Sequence, residues 1–295
     1  MKKSLFTLFS FGLFISNAFA QEVKFEEYDL DNGLHVILHQ DNTAPVITVG
    51  VMHDVGGKDL GGDNNPERTG FAHFFEHLLA SGPTKNIAKG TWREIRAAHG
   101  GNGNANTSLD RTYYYQTFPS NNLELALWME SERLLHPIID QDAVDTQNEV
   151  VKEEKRLRYD NSPYGQILFA IQENLFSKHP YKNKNIGEME HLDAATLVEF
   201  QAYFDKWYVP KNAVLVIAGD FETNETKKLI KDYFSEIKGS EKPTRNFPKL
   251  EPIAKTLRAK AYDPNIQIPA IVATYKTPPQ THRDTYVLNM ISSYL

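Results

Sequence analysis

The stretch TGFAHFFEHLLASG, residues 69–82, places two histidines four positions apart in an otherwise apolar segment, with one glutamate between them. In an α-helix, residues three and four positions apart lie on one face, so His73, Glu76 and His77 project to the same side. The two imidazoles then stand about 6 Å apart, and a nitrogen of each can reach one ion at about 2.0–2.1 Å. Glu76 would lie beside that ion but point differently, which suits a base better than a ligand.

The order of these residues, H-x-x-E-H, is the reverse of the H-E-x-x-H motif and is a zinc-peptidase signature in its own right. The same spacing also arises by chance in a chain with ten histidines, where it would mean only a helix with polar residues on its exposed face. A catalytic zinc needs a third protein ligand and an open position for water. The pentapeptide therefore predicts a metal site only if the chain offers a further ligand.

Residues 142–158, DAVDTQNEVVKEEKRLR, are predicted to form a long polar helix that offers three glutamates as the third ligand. At helical spacing, Glu154 has two valines and a leucine as neighbours, whereas Glu149 and Glu153 are surrounded mostly by charged residues. A carboxylate within an apolar stripe needs a partner. This favours Glu154, although such a run is most often an ordinary charged helix.

The composition excludes several other kinds of chemistry and partner. The chain of 295 residues has no cysteine, which rules out disulfides, thiolate metal ligands and a cysteine nucleophile. Its formal net charge is −6, and the acidic and basic residues are interspersed, with no basic block. We therefore expect neither nucleic acid nor an anionic membrane as a partner.

Residues 1–20, MKKSLFTLFSFGLFISNAFA, have the features of a cleavable secretory signal peptide. Two lysines precede a mostly apolar run, and the A-x-A sequence at residues 18–20 forms a cleavage site. The apolar run is well short of the roughly 20 residues that cross a bilayer. Because there is also no cysteine to carry a lipid, we expect no stable membrane anchor and a periplasmic or secreted protein.

Alternating and helical patterns of apolar residues predict an α+β fold. The predicted strands are residues 28–40 with a turn at 31–33, 45–57, 107–118 and 212–221, and the predicted helices are residues 69–82, 91–99, 123–135, 142–158, 195–207 and 223–237. Residues 100–106 are predicted to be a loop. Since strands and helices do not strictly alternate, we expect a mostly antiparallel sheet with helices packed on it.

The composition changes after the last of these helices. Residues 238–257 contain three prolines and many charges, which indicates a linker. Residues 265–279 predict a new strand, and residues 283–295 predict an apolar helix that ends without a stop signal. We therefore expect one domain over residues 21–237 and the beginning of a second, truncated domain over residues 258–295.

Four segments together resemble the pitrilysin/insulinase family of zinc metallopeptidases, which includes the mitochondrial processing peptidase. The segment GFAHFFEH is similar to the family's GxAHxxEH, and Glu154 of EVVKEEKR follows His77 by 77 residues, in the family's spacing. The segments GNANTSLDRTYY and WYVPKNAVLVIAGDF are similar to the family's NAxTxxDxTxY and YxPxNxxLxVxGD. The matches cover residues 28 to about 240, and the rest of the chain continues the match into a second, homologous domain.

The resemblance implies a zinc metalloendopeptidase that cleaves extended peptides or small unfolded proteins and binds one Zn²⁺ per chain. By resemblance, His73, His77 and Glu154 bind the ion, and Glu76 activates the water that attacks the peptide bond. Substrate in this family binds as an added strand along a sheet edge. The residues of this chain that match the edge, and are therefore implied to bind substrate, are Asn104, Ala105, Asn106 and Thr107.

The resemblance also implies that two homologous halves, in one chain or in two subunits, enclose the substrate. Most of the second half would lie beyond Leu295, so we expect a fragment or a truncated product that would bind zinc yet cleave poorly. The family often has a glutamate seven residues before the ligand glutamate, and here that position is Gln147. The Gln147 amide can still form a hydrogen bond to a metal ligand. Because it carries no charge, the site is less negative than with a glutamate, which predicts somewhat weaker metal binding.

Two alternatives to an active enzyme follow from the same residues. One is a non-catalytic peptide-binding subunit that assembles with an active homologue. The intact set of ligands and base favours the enzyme over this subunit. The other is a structural metal site, which requires a fourth protein ligand; His99 is the nearby candidate, and its position in a loop argues against it.

Overall fold

The computed structural model describes residues 23–294, in which six strands form one sheet. The strands are β1 (Glu26–Asp29), β2 (His35–Gln40), β3 (Val46–His53), β4 (Asn102–Thr107), β5 (Thr112–Pro119) and β6 (Ala213–Gly219). Their order across the sheet is β1-β2-β6-β3-β5-β4. The β2–β6 pair is parallel and the other four pairs are antiparallel, which confirms the mostly antiparallel sheet expected from the sequence.

Helices cover this sheet and continue beyond it. They are α1 (Gly61–Asn64), α2 (Phe71–Ser81), α3 (Trp92–Ala98), α4 (Leu123–Leu135), α5 (Gln141–Lys155), α6 (Ile167–Leu175), α7 (Met189–Asp193), α8 (Leu197–Trp207), α9 (Thr223–Phe234) and α10 (Asp284–Tyr294). Helix α5 continues directly into a π turn, Arg156–Asp160. Helices α2 and α4 contact β5, and α5 packs against α2.

The alternation of the strands decides which face of the sheet the helices cover. Leu34, Val36 and Leu38 are buried on one face, as predicted. On β5, the Tyr114 hydroxyl donates a hydrogen bond to the carbonyl of Phe75 on α2 at 3.0 Å. The Gln116 amide, on the same face, donates to the carboxylate of Glu130 on α4 at 2.6 Å. The face of β5 that points inward therefore carries both helices.

Two predictions about strands are wrong. Residues 100–106, predicted to be a loop, contain most of the edge strand β4, because pairing with β5 outweighs the weak strand propensity of asparagine and glycine. Residues 265–279, predicted to be a strand, form none, since no strand in the described part of the chain pairs with them. Helices α6 and α7 are not anticipated by the sequence patterns.

In the predicted linker, residues 238–257, the side chain with buried partners in the preceding part of the chain is Arg245. The Arg245 side chain donates a hydrogen bond from Nε to Oδ1 of Asp59 at 2.7 Å and one from Nη1 to Oδ2 of Asp54 at 3.1 Å. Its guanidinium carbon lies 4.6 Å from the ring centroid of Trp207. Because the Asp59 side chain is fully buried, this contact anchors the segment firmly.

Two further predictions concern the ends of the chain. The predicted signal peptide, residues 1–20, falls outside the described residues. Helix α10 forms within the predicted residues 283–295 and has no buried residue. Between residues 23 and 294, no helix combines the length and the apolar character needed to cross a membrane.

Candidate metal centre

The three candidate ligands meet at one point in the structure. A nitrogen from each of His73 and His77 and a carboxylate oxygen from Glu154 all lie within 4.8 Å of one another. Nε2 of His77 is 2.9 Å from Oε2 of Glu154, and Nε2 of His73 is 3.5 Å from the same oxygen. Donors at about 2.0–2.1 Å from a tetrahedral zinc ion are about 3.3 Å apart, so this donor set fits zinc.

Helix α2 holds both histidines in place because its opposite face is fixed in the core. Phe71 and Phe74 are fully buried, with ring centroids 4.8 and 4.4 Å from that of Phe200. The helix begins after Gly70, whose φ of 87° lies in the left-handed region. A Cβ at Gly70 would lie 2.9 Å from Cα of Gly187. The start of α2 is therefore set by a close backbone approach that only glycine allows.

Helix α5 supplies the carboxylate. The side chain of Glu154 is 14% exposed, compared with 55% for Glu153 and 70% for Glu149. Glu154 is thus the most enclosed of the three candidate glutamates. The apolar-stripe argument explains this only in part, because Val151 is the only one of its three apolar neighbours that is buried. The two histidines of α2, which face the Glu154 carboxylate, account for the rest of the burial of this side chain.

The surroundings of the ligands favour the protonation states that a metal needs. Burial lowers the pKa of His73 to about 4, and the neighbouring His77 adds to this effect. The hydrogen bond with His77 holds the pKa of Glu154 below its ordinary value, although partial burial opposes it. A bound metal requires a neutral imidazole and an ionised carboxylate. Near pH 7, His73 and Glu154 are in those states.

Glu76 lies on the same helix but outside the group of three donor atoms. Burial raises the pKa of its carboxyl, while a hydrogen bond with the Thr107 side chain and the nearby His77 act in the opposite direction. A raised pKa brings a carboxyl closer to neutral pH, where a general base works best. The environment of Glu76 is therefore suited to accepting and returning a proton.

The matched substrate segment lies on β4, at one edge of the sheet and in contact with α2. Asn104 and Asn106 are exposed, whereas Ala105 and Thr107 are half-buried. The side chain of Asn104 accepts a hydrogen bond from the backbone of Ala105 at 2.9 Å, and that of Asn106 accepts one from Arg111. An edge strand presents unpaired backbone groups. This position is the one that strand addition requires.

Gln147 lies two turns before Glu154 on α5 and is buried. Its Oε1 has no hydrogen-bond partner among the described residues, and the same holds for Nδ1 of His73. A metal-binding imidazole usually donates its second N–H to an outer acceptor. The outer hydrogen bond expected of Gln147 stays a prediction, since the structure gives it no ligand as a partner.

Arg158 is a residue of this centre that the sequence patterns do not reveal. Its Nη1 lies 2.7 Å from Oε1 of Glu154, the carboxylate oxygen that the histidines do not share. The only clue in the sequence is the spacing of four residues, which is common on any charged helix. His99, the candidate fourth ligand, is exposed and bonds the carbonyl of Ile95 at 2.9 Å. It is not part of the group.

Comparison with known proteins identifies the family. The family model described as Insulinase (Peptidase family M16) matches residues 35–188, and the one described as Peptidase M16 inactive domain matches residues 194–295. The chain therefore belongs to the M16 peptidase family. It is 30% identical over 275 residues to the zinc protease PqqE of Helicobacter pylori, a match that covers 92% of this chain and 61% of that relative.

Solved structures show the same fold. A protease from Helicobacter pylori superposes with a TM-score of 0.71 at 30% identity, covering 78% of this chain and 54% of that chain. The periplasmic protease PqqL of Escherichia coli has a TM-score of 0.69 at 24% identity, covering 78% and 26%. This chain thus spans only part of the length of the relatives it matches.

Proposed function

We propose that this chain carries the metal-binding half of a zinc-dependent metalloendopeptidase. The observation that supports this most strongly is the meeting of two imidazole nitrogens and one carboxylate oxygen within 4.8 Å. We assign one zinc ion per chain to His73, His77 and Glu154. Three protein ligands leave one position of a tetrahedral zinc open, as in catalytic sites and unlike structural ones.

The residues around the ligands divide the chemistry among them. A bound zinc supplies a Lewis acid that polarises the scissile carbonyl and makes water acidic enough to attack it. Glu76 takes the proton from that water and returns it to the leaving amine. Its half-buried carboxyl, with a raised pKa, is suited to both transfers.

The substrate is an extended peptide or a small unfolded protein that adds a strand to β4. The exposed edge at residues 104–107 supports this proposal, because backbone hydrogen bonds there would hold any extended chain in register. The exposed side chains on this strand are asparagines, which carry no charge to select a substrate. We therefore expect binding with little sequence demand.

A second homologous half, in the same polypeptide or in a partner subunit, would close the site over the substrate. The match of residues 194–295 to the M16 inactive-domain model supports such a half. We also propose a periplasmic or secreted location, which the features of residues 1–20 support. A structural neighbour from Escherichia coli is itself described as periplasmic.

The decisive experiment compares the unmodified chain with Glu76→Gln, each assembled with its second half. We expect both proteins to bind one zinc ion, measured by metal analysis, and only the unmodified one to cleave an unfolded protein. Cleavage by Glu76→Gln would exclude Glu76 as the base. Zinc binding with peptide binding but no cleavage by the unmodified protein would instead indicate a non-catalytic subunit.

A further inference from the structure

The two carboxylate oxygens of Glu154 have different partners. Oε2 faces both histidines, at 2.9 Å from Nε2 of His77 and 3.5 Å from Nε2 of His73. Oε1 is 2.7 Å from Nη1 of Arg158. This is an ion pair between a guanidinium side chain that is 71% exposed and a carboxylate side chain that is 14% exposed. One oxygen is thus presented to the proposed metal position, and the other is already engaged.

The backbone of the π turn is held at the two residues that follow Arg158. The ring of Tyr159 packs against that of Phe169, with centroids 4.8 Å apart. The carbonyl of Asp160 accepts a hydrogen bond from the side chain of Asn265 at 2.9 Å. These contacts fix the backbone from which the exposed arginine side chain reaches Glu154. π turns of this kind often occur at functional sites.

The number of oxygens that Glu154 donates decides whether a water position stays open. Carboxylates can bind a metal through one oxygen or through both. With two imidazoles, one oxygen leaves the fourth position of a tetrahedral zinc free, whereas a second oxygen would occupy or crowd it. A group that engages Oε1 therefore protects the open position.

Resting on the zinc site proposed above, we propose that Arg158 is a positioning residue that keeps Glu154 bound to the metal through Oε2 alone. The guanidinium does not touch the metal or the substrate in this role. It acts by making rotation of the carboxylate toward two-oxygen binding unfavourable. The matched comparison is Arg156, an exposed arginine of the same segment that pairs at 3.0 Å with Glu153, a carboxylate outside the donor group.

The test uses the full chain loaded with Co²⁺ for visible spectra and with Zn²⁺ for X-ray absorption. Arg158→Ala should weaken the visible absorption, because ligand-field bands lose intensity when a four-coordinate ion gains a ligand, and should add one short metal–oxygen distance. Arg158→Lys, which keeps a cationic donor, should recover most of the original spectrum. Arg156→Ala should leave spectrum and distances unchanged. Circular dichroism checks that each variant folds.

The outcomes separate this inference from the function it rests on. If the unmodified chain does not bind one metal ion through two nitrogens and a carboxylate, the zinc site itself is wrong and this inference falls with it. If the chain binds the ion but Arg158→Ala keeps the original spectrum and distances, the role of Arg158 is wrong and the zinc site stands. An equal change in Arg156→Ala would also overturn the inference.

Discussion

His77 Nε2 lies 2.9 Å from Glu154 Oε2, although 77 positions separate the two residues in the chain. This contact, together with that of His73 to the same oxygen at 3.5 Å, brings donors from α2 and α5 into one site. No ligand set exists on either helix alone, because α2 has only two of the three donors. The packing of α5 against α2 is therefore as important to the proposed function as the histidine motif itself.

Replacing the carboxylate should remove most of the zinc affinity. We expect Glu154→Gln to weaken zinc binding by more than about 100-fold, since loss of an outer partner alone costs about 10–100-fold. Glu153→Gln is the matched control, because that side chain is 55% exposed and pairs with Arg156. Metal content after dialysis and competition with a chelator measure the effect. Equal zinc retention in both variants would refute the choice of ligand.

The glycine before α2 should be replaceable only at a high cost in stability. Gly70 and Gly90 both have positive φ, 87° and 81°, so alanine should cost about 1–2 kcal/mol at either position. Only Gly70 has close neighbours, since an added Cβ would lie 2.9 Å from Cα of Gly187, whereas nothing lies within 4 Å of a Cβ at Gly90. Gly70→Ala should therefore lose about 1–3 kcal/mol more than Gly90→Ala in urea unfolding. Equal losses of unfolding free energy in the two variants would show that the backbone at residues 186–187 shifts at little cost.

Stability should fall as the pH drops below the ordinary histidine pKa. His53, at the end of β3, is buried, and burial lowers its pKa from 6.5 to about 3, with Arg133 adding to the effect. Below pH 6.5 the unfolded chain binds a proton that folded His53 does not. Its contribution to stability is therefore complete above pH 6.5 and is lost at up to about 1.4 kcal/mol per pH unit as the pH falls.

Urea unfolding between pH 6.5 and 5.5, with a chelator present, measures this slope. The same window also contains the contribution of His73, whose folded pKa is about 4. The variant His53→Gln cannot titrate and should show a shallower slope than the unmodified chain. An unchanged slope in that variant would mean that His53 takes up its proton in the folded state.

The arginine that anchors the predicted linker should govern how easily the linker opens. Arg245→Ala leaves the carboxylate of Asp59 buried without its ion-pair partner, which costs about 3–5 kcal/mol. We expect faster tryptic cleavage after Lys249, Lys255 and Arg258, sites that both variants keep, under native conditions. Lys242→Ala is the control, because Lys242 pairs with Asp54 at 3.0 Å on the surface and should change little. Equal cleavage rates would show that Arg245 is not the anchor.

Local patterns in the sequence predict most of the regular structure. The alternation around Val36 and Leu38 and the helical spacing in α2 both survive in the structure, because periodicity reflects which face of an element is buried. The edge strand β4 is missed for the opposite reason. Its asparagines and glycine give no strand pattern, and only pairing with β5 makes them extended.

The sequence by itself determined that His73, Glu76 and His77 share one face of a helix, since that follows from the 3.6-residue turn alone. Tertiary structure decided that Glu154 meets those histidines, that Arg158 engages its second oxygen, and that Arg245 reaches the buried Asp59. Such contacts depend on how whole helices and loops pack against one another. Packing is a property of the complete core, so no window of neighbouring residues contains it.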